Sequence, residues 1–216
     1  MNDWSAASSL PAQFADSWRD PERWRRLAED HAAGQRYLPL PGLLTDAASA
    51  HIRDAVLTLP WVRLETALVR ADRHLLQAAD VPTWLDLLQG EALRGLVAGV
   101  LGRPMPPGLV VNAWRLGRRD TMGVHPDGRL YQGTISLGLS DGWSAADGGA
   151  IAFGVKSDDD VFEVRQRWFP HRGDACLFAP DVDTWHMVEP VRGKVVRHSL
   201  TGWWTEPTDG LTRGRD

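Results

Sequence analysis

Apolar residues recur with the period of a helix over the first hundred or so positions and with that of short strands afterwards. Asp20 and Pro21 supply an N-cap and a proline at the first helical position. Trp24, Leu27, Ala28 and His31 follow at i, i+3, i+4 and i+7, and Gly34 stands where a glycine ends a helix. Tyr37 to Leu44, with two prolines, reads as extended. Thr45 then caps a helix through about Leu59, whose inward face is Ala48, Ile52, Ala55 and Val56. Trp61 to Arg70 looks extended, and Trp84 to Leu101 reads as one helix with Leu85, Leu88, Leu93, Leu96, Val97 and Val100 turned inward.

Beyond Pro104-Met-Pro-Pro107 the pattern is that of an antiparallel sandwich or barrel. Val110–Leu116, Leu130–Leu139, Ala150–Phe153, Val161–Trp168, Cys176–Ala179, Trp185–Val191 and Val195–Trp204 are short apolar runs, separated by Gly, Pro and Asp. Helices followed by strands predict an α+β fold, with helices packed on the outside of a β-roll. With no repeat and no clear linker, the expectation is one domain over 1–216, in which 1–105 is mainly helical support and 106–206 is the roll.

Composition narrows the function. The chain has 216 residues, 43% hydrophobic and 24% charged, as a globular domain requires. Its 24 Lys+Arg against 28 Asp+Glu leave a net charge of -4, which provides no field for nucleic acid or an anionic membrane and favours a small-molecule partner. Cys176, the one cysteine, excludes an intrachain disulfide and any CxxC site and suits a reducing cytoplasm. The N-terminus carries no signal-like basic and apolar regions, and the longest uncharged apolar stretch, Leu96 to Gly102, is far short of the ~20 residues of a membrane span. A cytoplasmic monomer or homodimer is expected.

Candidate chemistry begins at His125-Pro126-Asp127. Side chains two apart on a strand share a face, so this His and Asp can converge on one ion. With 7 His in the chain, chance alone expects roughly 0.7 such His-x-Asp pairs, so the motif is weak by itself. An imidazole from a distant strand would complete a facial set of two histidines and one carboxylate, which leaves iron positions open. His186, in Asp-Thr-Trp-His-Met-Val-Glu-Pro-Val, meets that need. Eleven residues on, Arg197 and Ser199 share one strand face with Thr201 and Trp203, and a guanidinium and a hydroxyl there can clamp one carboxylate.

Taken together, these blocks resemble the iron(II) and 2-oxoglutarate-dependent dioxygenases, in particular the prolyl-hydroxylase-like branch. The resemblance runs from Val110 to Trp204, through Val-Val-Asn-Ala-Trp-Arg-Leu-Gly, His125-Pro-Asp-Gly, Gly133-Thr-Ile-Ser-Leu-Gly, Arg172-Gly-Asp-Ala-Cys-Leu-Phe, His186-Met-Val-Glu-Pro-Val and Arg197-His-Ser-Leu-Thr-Gly-Trp. It implies a double-stranded β-helix (jelly roll) holding Fe(II) on His125, Asp127 and His186. It also implies that 2-oxoglutarate is anchored by Arg197 with Ser199 or Thr201, and that O2 and 2-oxoglutarate are consumed, with succinate and CO2 released, as an unactivated C–H bond is hydroxylated. Where the family often has a tyrosine before the metal motif this chain has Trp114, and Tyr131 is the alternative phenol. Asp127 is intact, whereas related halogenases carry a small residue there, so hydroxylation is the expected outcome.

Three segments, Trp61–Ala79, Arg115–Thr121 and Asp141–Asp147, are the expected rim of the pocket. The first two are rich in arginine and the third is acidic, which points to Arg115, Arg118 and Arg119 as substrate contacts and to a small amino-acid-like metabolite as substrate. The alternatives are a peptidyl, prolyl-type hydroxylase and a non-catalytic cupin-like binding module.

Overall fold

The computed structural model describes residues 3–128, 130–181 and 184–206. In chain order its elements are α1 (Pro21–Ala32), β1 (Tyr37–Leu40), α2 (Asp46–Leu57), β2 (Val62–Glu65), β3 (Val69–Leu75), α3 (Pro82–Gln89) and α4 (Glu91–Leu101). The strands β4 (Gly108–Leu116), β5 (Thr121–His125), β6 (Tyr131–Gly138), β7 (Ile151–Lys156), β8 (Phe162–Trp168), β9 (Ala175–Phe178), β10 (Trp185–Val188) and β11 (Arg197–Thr205) follow. The capping residues act as their types require: the Asp20 carboxylate accepts from the Glu22 N–H and the Thr45 hydroxyl from the Ala48 N–H.

The single helix expected over 84–101 is two. Gly90 is extended at φ -57°, ψ 132°, so the chain turns between α3 and α4. A continuous helix would have pointed Leu88 and Leu93 about 140° apart, at 3.6 residues per turn. The break lets both bury, and a glycine gives up the helical conformation there more readily than other residues.

The strands form one antiparallel sheet in the order β1-β9-β6-β11-β4-β3-β5-β10-β7-β8, with β2 paired to β3. Three of them, β1, β2 and β3, come from the stretch expected to be mainly helical. The strand β3 makes the sheet turn a corner: its Asp72–Leu75 pair with β4 and its Val69–Arg70 pair with β5. One half, β1-β9-β6-β11-β4, is backed by the helices, and the other, β5-β10-β7-β8, closes over it as a jelly-roll, double-stranded β-helix.

Two apolar clusters fill this arrangement. The larger joins the helices to the outer face of the first half and includes Trp24, Ile52, Trp84, Leu96, Ile135, Leu200 and Trp204. The smaller lies inside the roll and draws on both halves, with Trp114 and Phe178 facing Ile151, Phe153 and Val188. Alternation along β11 separates them: Leu200 and Trp204 pack toward the helices while Arg197, Thr201 and Trp203 line the interior. Among the described residues no helix is long and apolar enough to cross a membrane.

Candidate active site

The first two metal-type donors sit where β5 ends. His125 is the last residue of β5 and pairs with His186 of β10, and a bulge between that pair and Val188–Met122 turns Met122 to the same interior face. The two imidazoles lie 4.4 Å apart by ring centroid, and Asp127 follows immediately beyond the strand. Each of His125, Asp127 and His186 offers one ligand atom, all within 4.8 Å of one another.

Hydrogen bonds aim these three groups. Nδ1–H of His125 donates to the Gly123 carbonyl at 2.7 Å, and Nδ1–H of His186 donates to the Thr184 carbonyl at 3.1 Å, which leaves both Nε2 lone pairs free. Oδ2 of Asp127 accepts from the Thr134 hydroxyl at 2.8 Å and from the Trp203 indole at 2.9 Å. That leaves Oδ1, which lies 3.8 Å from His186 Nε2. Burial holds the His186 imidazole below its ordinary pKa, in the neutral form that binds metal, with the Asp127 carboxylate opposing the shift. Two imidazoles with Nε2 free and a carboxylate with one oxygen free form a donor set that fits a divalent iron ion, with open positions for further ligands.

The same pocket ends at Arg197, which lines it together with His125, Asp127, His186 and Thr201. Arg197 is 2% exposed. Its Nε–H donates to the Gly149 carbonyl at 3.0 Å and its Nη1–H to the Ser199 hydroxyl at 2.7 Å. Burial lowers its pKa to about 10, and among the described residues it has no carboxylate within ion-pair distance. A buried guanidinium that lacks an anion, facing a metal-type triad across an apolar pocket, fits a dicarboxylate bound at both ends.

The structure brings some of the expected contacts into this pocket and leaves others out. Trp114 and Thr201 line it, and Ser199 steadies Arg197 from beside it. Tyr131 does not line it: its ring is tilted against Trp203, at 5.6 Å between centroids, and its hydroxyl makes no hydrogen bond among the described residues. Arg115 points to the other face of β4, where it pairs with Asp72 at 2.8 Å and lies over Trp61. Arg118 and Arg119 line a separate cleft at the sheet corner. The acidic segment is also occupied: Asp141 pairs with Arg172 and Arg53, and Asp147 caps its own turn at Ser144.

Sequence reasoning missed Thr134, Met122, Ile151 and Val188. Only Thr134 carries a readable signal, since it sits on the strand after the metal motif with the parity of Ser136, which lines the pocket.

The roll places a donor triad that suits a divalent metal ion in one pocket. Residues 111–205 match the family profile of the 2OG-Fe(II) oxygenase superfamily. No curated protein matches. Among solved structures the chain is similar to a Pseudomonas putida prolyl-4-hydroxylase (TM-score 0.66, 16% identity, 86% of this chain and 100% of that one). It is similar, too, to a Trichoplax adhaerens prolyl hydroxylase in complex with a hypoxia-inducible-factor peptide (0.69, 16%, 91% and 96%). A third is the α-ketoglutarate-dependent epimerase SnoN from nogalamycin biosynthesis (0.67, 17%, 91% and 93%). At such identities these likenesses describe the fold.

Proposed function

We propose that the chain, acting as one unit over 1–216, hydroxylates an unactivated C–H bond of a small metabolite while 2-oxoglutarate is converted to succinate and CO2. In this reading His125, Asp127 and His186 hold Fe(II), and Arg197 with Ser199 anchors the distal carboxylate of 2-oxoglutarate. The single observation that carries it is the pairing, in one pocket, of three aimed donor atoms with a buried guanidinium that has no carboxylate partner. Iron and 2-oxoglutarate supply, with O2, the oxidising power: one oxygen atom enters the C–H bond and the other enters succinate.

The residues of the chain bind, orient and exclude water. Met122, Ile151, Phe178 and Val188 provide apolar walls that keep the reacting carbon dry. A small amino-acid-derived substrate remains the proposed class, although the arginine and acid pairing that suggested it lies off this pocket. The peptidyl reading is second, favoured by fold likenesses to prolyl hydroxylases. The fold does not choose between them, since one roll also hosts an epimerase. The test is succinate formation with Fe(II) and 2-oxoglutarate across a panel of free amino acids, their derivatives and proline-containing peptides, with the product read as a gain of one oxygen by mass. Stoichiometric succinate and hydroxylated small metabolite are expected; coupling only to peptides would overturn the substrate class.

Trp203 and Thr134 are positioning residues in this scheme, because they fix which Asp127 oxygen is free. Trp203→Phe and Thr134→Val should each lower the affinity for Co(II), titrated by absorbance as an iron substitute, about 10-fold to 100-fold while the melting temperature changes little. Unchanged Co(II) affinity in both variants would remove them from the site.

A further inference from the structure

A second cavity, of about 540 Å³, lies at the sheet corner, walled by the β2–β3 turn, the β4–β5 loop and the segment after β10. It is not the mouth of the metal pocket. Thr121 lines the cleft while Met122, the next residue on β5, lines the triad pocket, so the two cavities sit on opposite faces of that strand. Four arginines line it, Arg70, Arg118, Arg119 and Arg192.

Three of the four have no counter-ion. Arg118, Arg119 and Arg192 are exposed, and none makes a side-chain hydrogen bond or ion pair among the described residues. The carboxylates in the neighbourhood are already taken: Glu65 pairs with Arg63, Glu189 with Arg167 and Asp147 with Ser144, and Asp120 is 6% exposed. Arg63 holds it through two nitrogens at 2.8 and 2.7 Å, Arg70 lies at 3.4 Å, and the Gly117 N–H donates to it at 2.9 Å. In a protein of net charge -4, three uncompensated positive charges around one hollow run against the mean.

The cleft is also built rather than incidental. Arg119 is held at φ +72°, a conformation that side-chain-bearing residues rarely adopt. Reciprocal bonds fix it there: the Arg119 N–H donates to the Val191 carbonyl at 2.7 Å and the Val191 N–H to the Asp120 carbonyl at 3.0 Å. These bonds tie the loop bearing Arg118 and Arg119 to the segment bearing Arg192.

We propose that this cleft binds the phosphoryl group of a small phosphorylated metabolite. A single carboxylate offers two oxygens and one charge, whereas a phosphoryl dianion offers three oxygens and about two charges, which suits three free guanidiniums. The cavity is far larger than a phosphate and falls in the size range of metabolite sites, and Leu68, Pro190 and Val191 give an organic body an apolar wall. The proposal does not depend on the iron chemistry.

Calorimetric titration of chelator-treated, desalted protein with pyrophosphate tests it. We expect one site per chain. Arg118→Ala, Arg119→Ala and Arg192→Ala should each weaken binding about tenfold or more, the triple variant should lose it while melting as wild type, and Arg26→Ala, an exposed cation on α1, should leave it unchanged. Asp127→Ala should bind pyrophosphate as wild type does, which separates this site from the metal pocket. Absence of binding at millimolar pyrophosphate, or equal binding by the triple variant, would overturn the proposal. So would an equal loss in Arg26→Ala, disappearance of binding in Asp127→Ala, or binding of citrate in place of pyrophosphate.

Discussion

Replacing His186 with alanine should yield a folded protein that retains no iron and forms no succinate. Only three protein donors meet at the site, and all three lie within 4.8 Å of one another, so no fourth side chain stands by to compensate among the described residues. The expected loss of activity is complete within detection, whereas the cost in stability is about 1 to 3 kcal/mol, the usual range for truncating one buried side chain. Asp127→Asn makes the same point without a cavity. It keeps the size of the side chain and an oxygen to accept from Thr134 and Trp203, but removes the charge that neutralises a divalent ion. Metal content after anaerobic loading with Fe(II), measured beside succinate formation and the melting temperature, checks both variants. Stoichiometric iron and full turnover in His186→Ala would sink the assignment of the triad.

The legible part of this protein was its strand parity. A His and an Asp two apart, and an Arg and a Ser two apart in a row that continues to Thr201 and Trp203, can be read as facing one way because side chains alternate strictly along a strand. The structure places Arg197, Thr201 and Trp203 on that inner face. What parity cannot supply is a register slip. The bulge between His186–His125 and Val188–Met122 turns Met122 inward beside His125, an odd spacing that no alternation rule predicts.

Charge pairing was illegible for a different reason. Arg63, Arg70 and Arg115 look available in the sequence, yet Asp120 and Asp72, brought in across β3, take them. Arg118, Arg119 and Arg192 are left over because the acids beside them, Glu65, Glu189 and Asp147, are paired with Arg63, Arg167 and Ser144. An arginine-rich loop and an acidic loop therefore read as two halves of one zwitterion site, when the acidic loop was already paired elsewhere, Asp141 with Arg172 and Arg53 and Asp147 with Ser144. Strands β1 and β2 fall within stretches that read as extended, whereas β3 was not read beyond Arg70, because Val69–Leu75 buries only Ala71 and shows neither a helical nor a clean alternating pattern until the rest of the sheet is there to pair with it.

Arg197→Met should raise the stability of the ligand-free protein, or leave it unchanged, while nearly abolishing its affinity for 2-oxoglutarate. The two effects have opposite signs for one physical reason. A guanidinium held at about 10 rather than 12.5 has lost about 3 kcal/mol of its preference for the charged form, because burial removes its water and no carboxylate of the described residues replaces it. Without ligand that charge is a net burden, relieved by an apolar side chain of similar length. With 2-oxoglutarate bound the burden becomes a charge-assisted pair, and removing one partner costs about 2 to 5 kcal/mol, or a loss of affinity between about 30-fold and a few thousand-fold. Arg197→Lys should recover only part of it, since an ammonium cannot donate to Gly149, Ser199 and a carboxylate with the same fork. Gly149→Ala gives a milder version: its φ is +63°, and an added Cβ would lie 2.8 Å from Trp143 and 3.4 Å from the Arg197 Cδ, so the carbonyl that holds Nε must shift. Calorimetry with 2-oxoglutarate on the Mn(II)-loaded proteins, run beside thermal melts of the ligand-free ones, reads both signs at once. Wild-type affinity in Arg197→Met would move the carboxylate anchor elsewhere, and a large drop in the ligand-free melting temperature would make Arg197 a structural residue.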